Sequence, residues 1–260
     1  MSQDNADGIY LYCVAEGNEA VSFGCMGIEG NDVYTILYKG LCVVVHDCSP
    51  EPYKSENEEI VKKWVITHQN VVDKAWETFC TVLPLGFDTI IKGEGDISAD
   101  DNLKKWLEDD YDNLKQRMEK VKDKAEYGVQ VFWNPTLISQ EILEEHRDIK
   151  KLKDEMESKP KGTAYMYKQK LENAIKKEME KKADECFKDF YGKIKGYVDD
   201  TRVEKTKKVE EGQMLMNLSC LVYKDKSSEL GEELGGINKM KGFSVRFTGP
   251  WPPYSFVTPG

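Results

Sequence analysis

Cys42, His46 and Cys48 crowd into one short stretch, and all three side chains are of types that bind zinc. On an extended chain, residues 42 and 48 stand about 20 Å apart at roughly 3.3 Å per residue. Shared zinc ligands must converge within about 2.0 to 2.3 Å of one ion. The strand cannot chelate by itself, so these residues read as small buried thiols with a histidine at a strand end. His68 falls in helical register with Val61, Val65, Val72, Ala75 and Phe79 and reads as a packed, hydrogen-bonded ring. The enzymatic alternative gives His68 or His46 acid/base work in a cleft between two domains, but no nucleophile motif accompanies either. "KGEGD" (Lys92 to Asp96) lacks the GxxxxGK[ST] spacing of a phosphate loop and would turn two carboxylates toward the phosphates; it reads as a surface turn. No catalytic, cofactor-binding or metal-binding residue is expected.

The chain has 260 residues and a formal charge of -10. An acidic chain repels a phosphate lattice unless a basic stripe overrides it. The lysines between Lys150 and Lys208 are interleaved with acids, as in "KLENAIKKEMEKKADE", and read as a solvated helix face. No nucleic-acid partner is expected. The longest apolar run, around "LCVVV", is far short of the roughly 20 residues of a membrane span, so no membrane partner is expected either. Seven cysteines without CxxC spacing, and an N-terminus lacking basic and apolar signal regions, place the protein in a reducing cytoplasm.

These residues need elements to hold them. "IYLYCVA" (Ile9 to Ala15), "VYTILYK" (Val33 to Lys39) and "LCVVVHD" (Leu41 to Asp47) read as strands, the last two paired as neighbours. Ser55 with Glu58 suggests a capping box opening a helix, and "CTVLPLGF" a short strand ending at Pro84. Ser98 with Asp101 suggests a second helical N-terminus, followed by Leu103, Leu107, Leu114, Met118 and Val121. "GVQVFW" (Gly128 to Trp133) opens a second unit. Ile138, Ile142, Ile149, Leu152 and Met156 mark one helix; "SKPKG" (Ser158 to Gly162) breaks it; Leu171 through Tyr197 mark another. The two form an antiparallel hairpin over about residues 136–199. With an edge strand at Arg202 to Thr206, the strand "MLMNLSCLVY", a short helix (Leu230, Leu234, Ile237) and the strand "GFSVRF", the order is that of a ferredoxin-like split βαβ unit with an enlarged first crossover. The expected class is α+β with two domains, a small α/β sheet domain over 1–126 and a modified ferredoxin-like domain over 127–260.

The terminal strand runs into "TGPWPPYSFV". Proline fixes φ and donates no backbone hydrogen bond, so this is a stiff, aromatic arm. Its PxxP spacing (Pro250, Pro253) fits a polyproline ligand for a foreign groove; the alternative is an arm folded onto its own body, with Trp251 and Tyr254 filling apolar gaps. "TGPWPPYSFV" resembles the terminal signature of the gas vesicle protein F/L family, the GvpF/GvpL proteins. The opening "YLYCVA", the stretch from His68 through "VLPLGF", and "GVQVFW" followed by charged helices and "LSCLVY" are similar to that family in the same order. Asp88, after Phe87, departs from the glycine often found there.

The resemblance implies a non-enzyme, with Gly249, Pro250, Trp251, Pro252, Pro253, Tyr254, Phe256, Pro84 and Phe87 as structural signature residues. It implies a minor component or assembly factor of gas vesicles, in the cytoplasm or on the vesicle. Its expected partners are the small hydrophobic shell protein, kept from aggregating during nucleation and contacted through the N-terminal domain, and other gas vesicle accessory proteins. The competing readings are the histidine enzyme and a polyproline-presenting adaptor.

Overall fold

The computed structural model describes residues 7–158, 160–207 and 212–257. The chain divides into two compact units, residues 1–126 with 250–260, and residues 127–249. The chain leaves the first unit within one strand and returns to it within another, so the terminal arm belongs to the first unit. The sequence pattern had attached it to the second, because it follows directly from that unit's last strand.

In unit 1, β1 (Gly8–Glu16) pairs antiparallel with β4 (Leu41–Cys48), which pairs with β3 (Val33–Tyr38) and then β2 (Ser22–Gly24). The other edge of β1 is shared by β5 (Val82–Pro84) and β6 (Ile90–Lys92), both antiparallel to it. The turn between β3 and β4 is two residues long, Lys39 and Gly40, both with positive φ (44° and 85°). That conformation matches strand twist and explains the glycine. β1 shifts register between Leu11 and Cys13. The bulge places Tyr10 and Tyr12, then Cys13 and Ala15, in one core cluster, a switch of parity that strict alternation forbids.

Helix α1 (Glu58–Phe79) adds Val71, Val72 and Ala75 to that cluster. Its N-cap is Asn57, whose side chain accepts from the Glu59 amide, whereas Ser55 accepts from the Asn57 amide. The N-cap therefore lies two residues beyond Ser55, and the capping box expected there does not form, since Ile60 stands at the third helical position. Asn57→Ala should cost about 1 kcal/mol in urea unfolding, and Ser55→Ala only a few tenths; equal costs would contradict this assignment. The second helical pattern divides at Asp110 into α2 (Ala99–Asp109) and α3 (Tyr111–Val121), with Leu103, Leu107, Leu114, Met118 and Val121 all buried. Ser98 caps α2 as expected, accepting from the Asp101 amide and donating to its carboxylate.

In unit 2, β7 (Lys124–Trp133), β8 (Asp200–Val203), β9 (Gln213–Tyr223) and β10 (Phe243–Trp251) form a sheet in the order β10-β7-β9-β8. Helices α4 (Pro135–Glu145) and α5 (Arg147–Ser158) occupy the stretch expected to be one helix, interrupted at His146, where the backbone turns extended (ψ 106°). Lys159, in the expected break, lies outside the described residues. The long α6 (Lys161–Lys195) returns along them, tied by Lys182 to Glu141 at 2.7 Å. Trp133, Ile138, Ile142, Ile149 and Leu171 are buried together, with Ile175, Met179 and Ala183 packed beside them. Helix α7 (Ser227–Asn238) buries Leu230, Leu234 and Ile237. The last element, α8 (Tyr254–Val257), is a single helical turn of the terminal arm. The helices and sheets together make an α+β fold.

Candidate functional site

The two histidines that could do acid/base work are both in unit 1 and both buried. The Tyr10 hydroxyl lies 2.9 Å from His68 Nδ1 and accepts from the Asp88 amide at 3.0 Å. The Tyr12 hydroxyl lies 2.8 Å from His46 Nδ1 and accepts from the Ile28 amide at 3.1 Å. His68 Nε2 faces the Leu85 carbonyl at 3.2 Å, which can only accept, so this nitrogen carries the proton of the neutral ring and Nδ1 accepts from Tyr10. His46 lies between two hydroxyls, with Nε2 3.0 Å from that of Tyr53, so both of its nitrogens are paired.

Burial lowers both histidines to about 4, outweighing the nearby Asp47 carboxylate at His46 and the Leu85 carbonyl at His68. It also pushes Tyr53 up to about 12 and raises Tyr10 and Tyr12 well above the usual phenol range. Four ring nitrogens with four partners form a saturated polar core, with none directed at a solute. Among the described residues, no group of three or more His, Cys, Asp or Glu side chains could hold a metal ion.

Pro84 ends β5 opposite Cys13, and Phe87 packs edge-on against Tyr10 and His68 at ring distances of 6.4 and 6.1 Å. Asp88 has a φ of 68°, the left-handed conformation for which glycine is the usual residue. Its carboxylate accepts from the Tyr53 amide at 2.9 Å. The departure from glycine keeps the turn and adds a bond to it.

Gly249 also has positive φ, 113°, and Pro250 sits on β10, an edge strand that tolerates a missing donor. Pro252, Pro253, Phe256 and Val257 are buried. The Ser255 amide and hydroxyl both donate to the Glu126 carboxylate, at 2.7 and 2.5 Å, and Arg117 donates to the Val257 carbonyl. Trp251 does not fill an apolar gap: it is 45% exposed. Nor does the arm present a PxxP face, because Pro253 is buried and a helical turn begins one residue later.

Several concave surfaces are present among the described residues, including a cleft of about 620 Å³ in unit 1 lined by Asp47, Cys48, Tyr53 and Trp64 and one of about 470 Å³ in unit 2 lined by Gln140, Leu143 and Lys150. In unit 2 a mainly apolar groove of about 440 Å³ is lined by Trp133, Ile175, Met179 and Ala183 together with Glu172, Lys176, Glu180 and Gln213. In unit 1 a cleft of about 500 Å³ is lined by Gln69, Asp73, Glu126, Trp251, Pro252 and Tyr254. The exposed apolar side chains of unit 1, such as Leu37, Ile60, Ile66 and Ile97, are dispersed over separate elements or turns. No helix of the described residues is long and apolar enough to cross a membrane.

A family model described as "Gas vesicle synthesis protein GvpL/GvpF" matches residues 8–258. The chain is 28% identical over 261 residues to gas vesicle protein L1 of Halobacterium salinarum, covering 97% of this chain and 91% of that protein. It is 20% identical over 255 residues to gas vesicle protein F of Nostoc sp., covering 97% and 98%. In fold it is similar to the crystal structure of GvpF from Anabaena sp. PCC7120, with a TM-score of 0.78 at 20% identity over 97% of this chain and 99% of that one. The GvpF structure from Microcystis aeruginosa gives a TM-score of 0.65 at 18% identity over 96% and 99%. A family match spanning nearly the whole sequence makes this chain a member of the GvpL/GvpF family of gas vesicle proteins.

Proposed function

We propose that this chain is a non-enzymatic accessory or minor structural protein of gas vesicles, working in the cytoplasm or on the vesicle. It binds the small hydrophobic shell protein and keeps that protein from aggregating during nucleation; other gas vesicle accessory proteins are further partners. The two buried histidines support the non-enzymatic part, since every ring nitrogen of His46 and His68 is already engaged. Unit 2 is a modified ferredoxin-like domain: its strands, numbered within the unit, lie in the order 4-1-3-2, with the hairpin α4 to α6 as an enlarged first crossover. Unit 1 is the N-terminal α/β domain.

The family resemblance points to unit 1 as the contact surface. One observation favours a second reading, which is the apolar groove of unit 2. Scattered apolar side chains are ordinary on any surface, whereas a continuous apolar concavity is the form that takes another protein's greasy segment. From Glu172 to Ala183 the groove follows about 17 Å of α6 at 1.5 Å per residue, room for a three-turn helix.

The test uses the full chain, because a cut near Tyr127 would strip unit 1 of its terminal arm. Purified shell protein is diluted from denaturant, and its turbidity is followed with and without this chain. Wild type should suppress aggregation, Met179→Lys should weaken suppression about tenfold, and Ile66→Lys on unit 1 should leave it intact, each compared at equal folded fraction because Met179 also packs against the buried cluster. The reverse pattern would return the contact to unit 1. No suppression by wild type would end the shell-binding reading.

A further inference from the structure

Of the terminal arm's three aromatic side chains, Trp251 alone is exposed to solvent, although the prolines after it are buried. It stands at the unit 1 cleft with Gln69 and Asp73 from α1, Glu126 from β7, and Pro252 and Tyr254 from the arm. Gln69 and Asp73 are four residues apart on one helix and so lie side by side. Among the described residues neither Asp73 nor Glu126 has a cationic partner. Glu126 is held by its two bonds from Ser255, while no hydrogen bond of the Asp73 carboxylate is found. Asp73 is held above the usual carboxylate range, first by desolvation and then by Glu77. Among the described residues the buried Tyr254 hydroxyl has no hydrogen-bond partner. Burial, then the charge of Asp73, raises its phenol above the usual range.

An exposed indole face beside two carboxylates and an amide suits a cation carried on an apolar stem. A guanidinium suits it best, since its plane stacks on indole while its fork donates to carboxylate. A carboxylate or phosphate would meet like charge, and an uncharged apolar group would leave the carboxylate desolvated and unpaired. We propose that this cleft receives an arginine side chain presented by a partner protein, with Trp251 as the stacking platform and Asp73 as the ionic contact. The signature arm then does two jobs: its prolines and Phe256 anchor it, and Trp251 faces the partner. This inference stands apart from the shell-protein reading, because it needs only an arginine, whichever protein carries it.

The probe is N-acetyl-arginine methylamide, titrated into the full chain while the Trp251 indole N–H and the Gln69 side-chain amide are followed by NMR. Saturable shifts of both are expected, weaker with the lysine analogue and absent with the glutamate analogue. Asp73→Asn should raise the dissociation constant about fivefold, the scale of a partly exposed ion pair. Trp251→Ala, followed at Gln69, should raise it about tenfold. Both side chains are exposed, so melting temperature should hold. Three results would overturn the proposal: no saturable shift, an unchanged constant in Asp73→Asn, or equal response to the glutamate analogue.

Discussion

Lowering the pH from 7 to 5 should remove about 4 kcal/mol of folding stability through two side chains, His46 and His68. Each is held near 4 in the folded protein, against about 6.5 in an unfolded chain. The folded-state value is depressed, so the unfolded chain takes up protons first and stability falls as pH drops. The window runs from about 6.5, where unfolded histidine begins to charge, down to about 4, where the folded rings charge too. At 1.36 kcal/mol per pH unit, the 1.5 units between 6.5 and 5 cost about 2 kcal/mol per ring. Two such rings lose a large share of the 5 to 15 kcal/mol that ordinarily holds a protein folded.

The cause is geometric. A second proton on His68 would have to go to Nδ1, which already accepts from Tyr10, and both nitrogens of His46 are already paired with tyrosine hydroxyls. Urea unfolding at a series of pH values gives the slope, and nitrogen-15 shifts give the tautomer. Both buried rings should stay neutral down to pH 5, and His68 should show an unprotonated Nδ1 and a protonated Nε2. A ring that titrates near 6.5, or a His68 that carries its proton on Nδ1, would defeat the prediction.

That network was only partly legible beforehand. The register of His68 with Val72 and Ala75 announces a packed ring, and "YLYCVA" announces a strand. What joins them is a β-bulge, which no alternation pattern reveals, and hydrogen bonds across 58 and 34 residues of sequence. The spacing Tyr-x-Tyr facing two lone histidines was the available signal, since buried imidazoles need partners.

Asp88 illustrates a different limit. A non-glycine residue at a turn that favours glycine hides the positive φ, though aspartate is among the residues that tolerate it. Local signals did better where the physics is local. The spacing of Leu103, Leu107, Leu114, Met118 and Val121 marks the buried face of α2 and α3, and Ser98 marks where α2 begins. Ser55 and Asn57 are both good caps two residues apart, each followed by acids, so composition could not choose between them.

Deleting the ring of Phe256 should cost about 3 to 4 kcal/mol, while deleting that of Trp251 should cost less than about 1 kcal/mol. The ranking reverses what size and hydrophobicity suggest. Phe256 is 4% exposed in the unit 1 core and Trp251 is 45% exposed, so the first substitution opens a cavity and the second removes a ring already half in water. Around Phe256, Pro252 and Pro253 are buried and the Pro253 carbonyl accepts from the Phe256 amide at 3.1 Å, which sets the turn from which the ring enters. Glu126 and Arg117 fix the same turn from the body, so the anchor is polar as well as apolar. Glu126→Gln would trade a charge-assisted pair of bonds for a neutral one and should cost a further 1 to 2 kcal/mol, by about the usual difference between the two. Thermal unfolding of Phe256→Ala and Trp251→Ala, each in the full chain, decides the matter. If Trp251→Ala proves the more destabilising of the two, the arm is held by its indole and the buried turn is not its anchor.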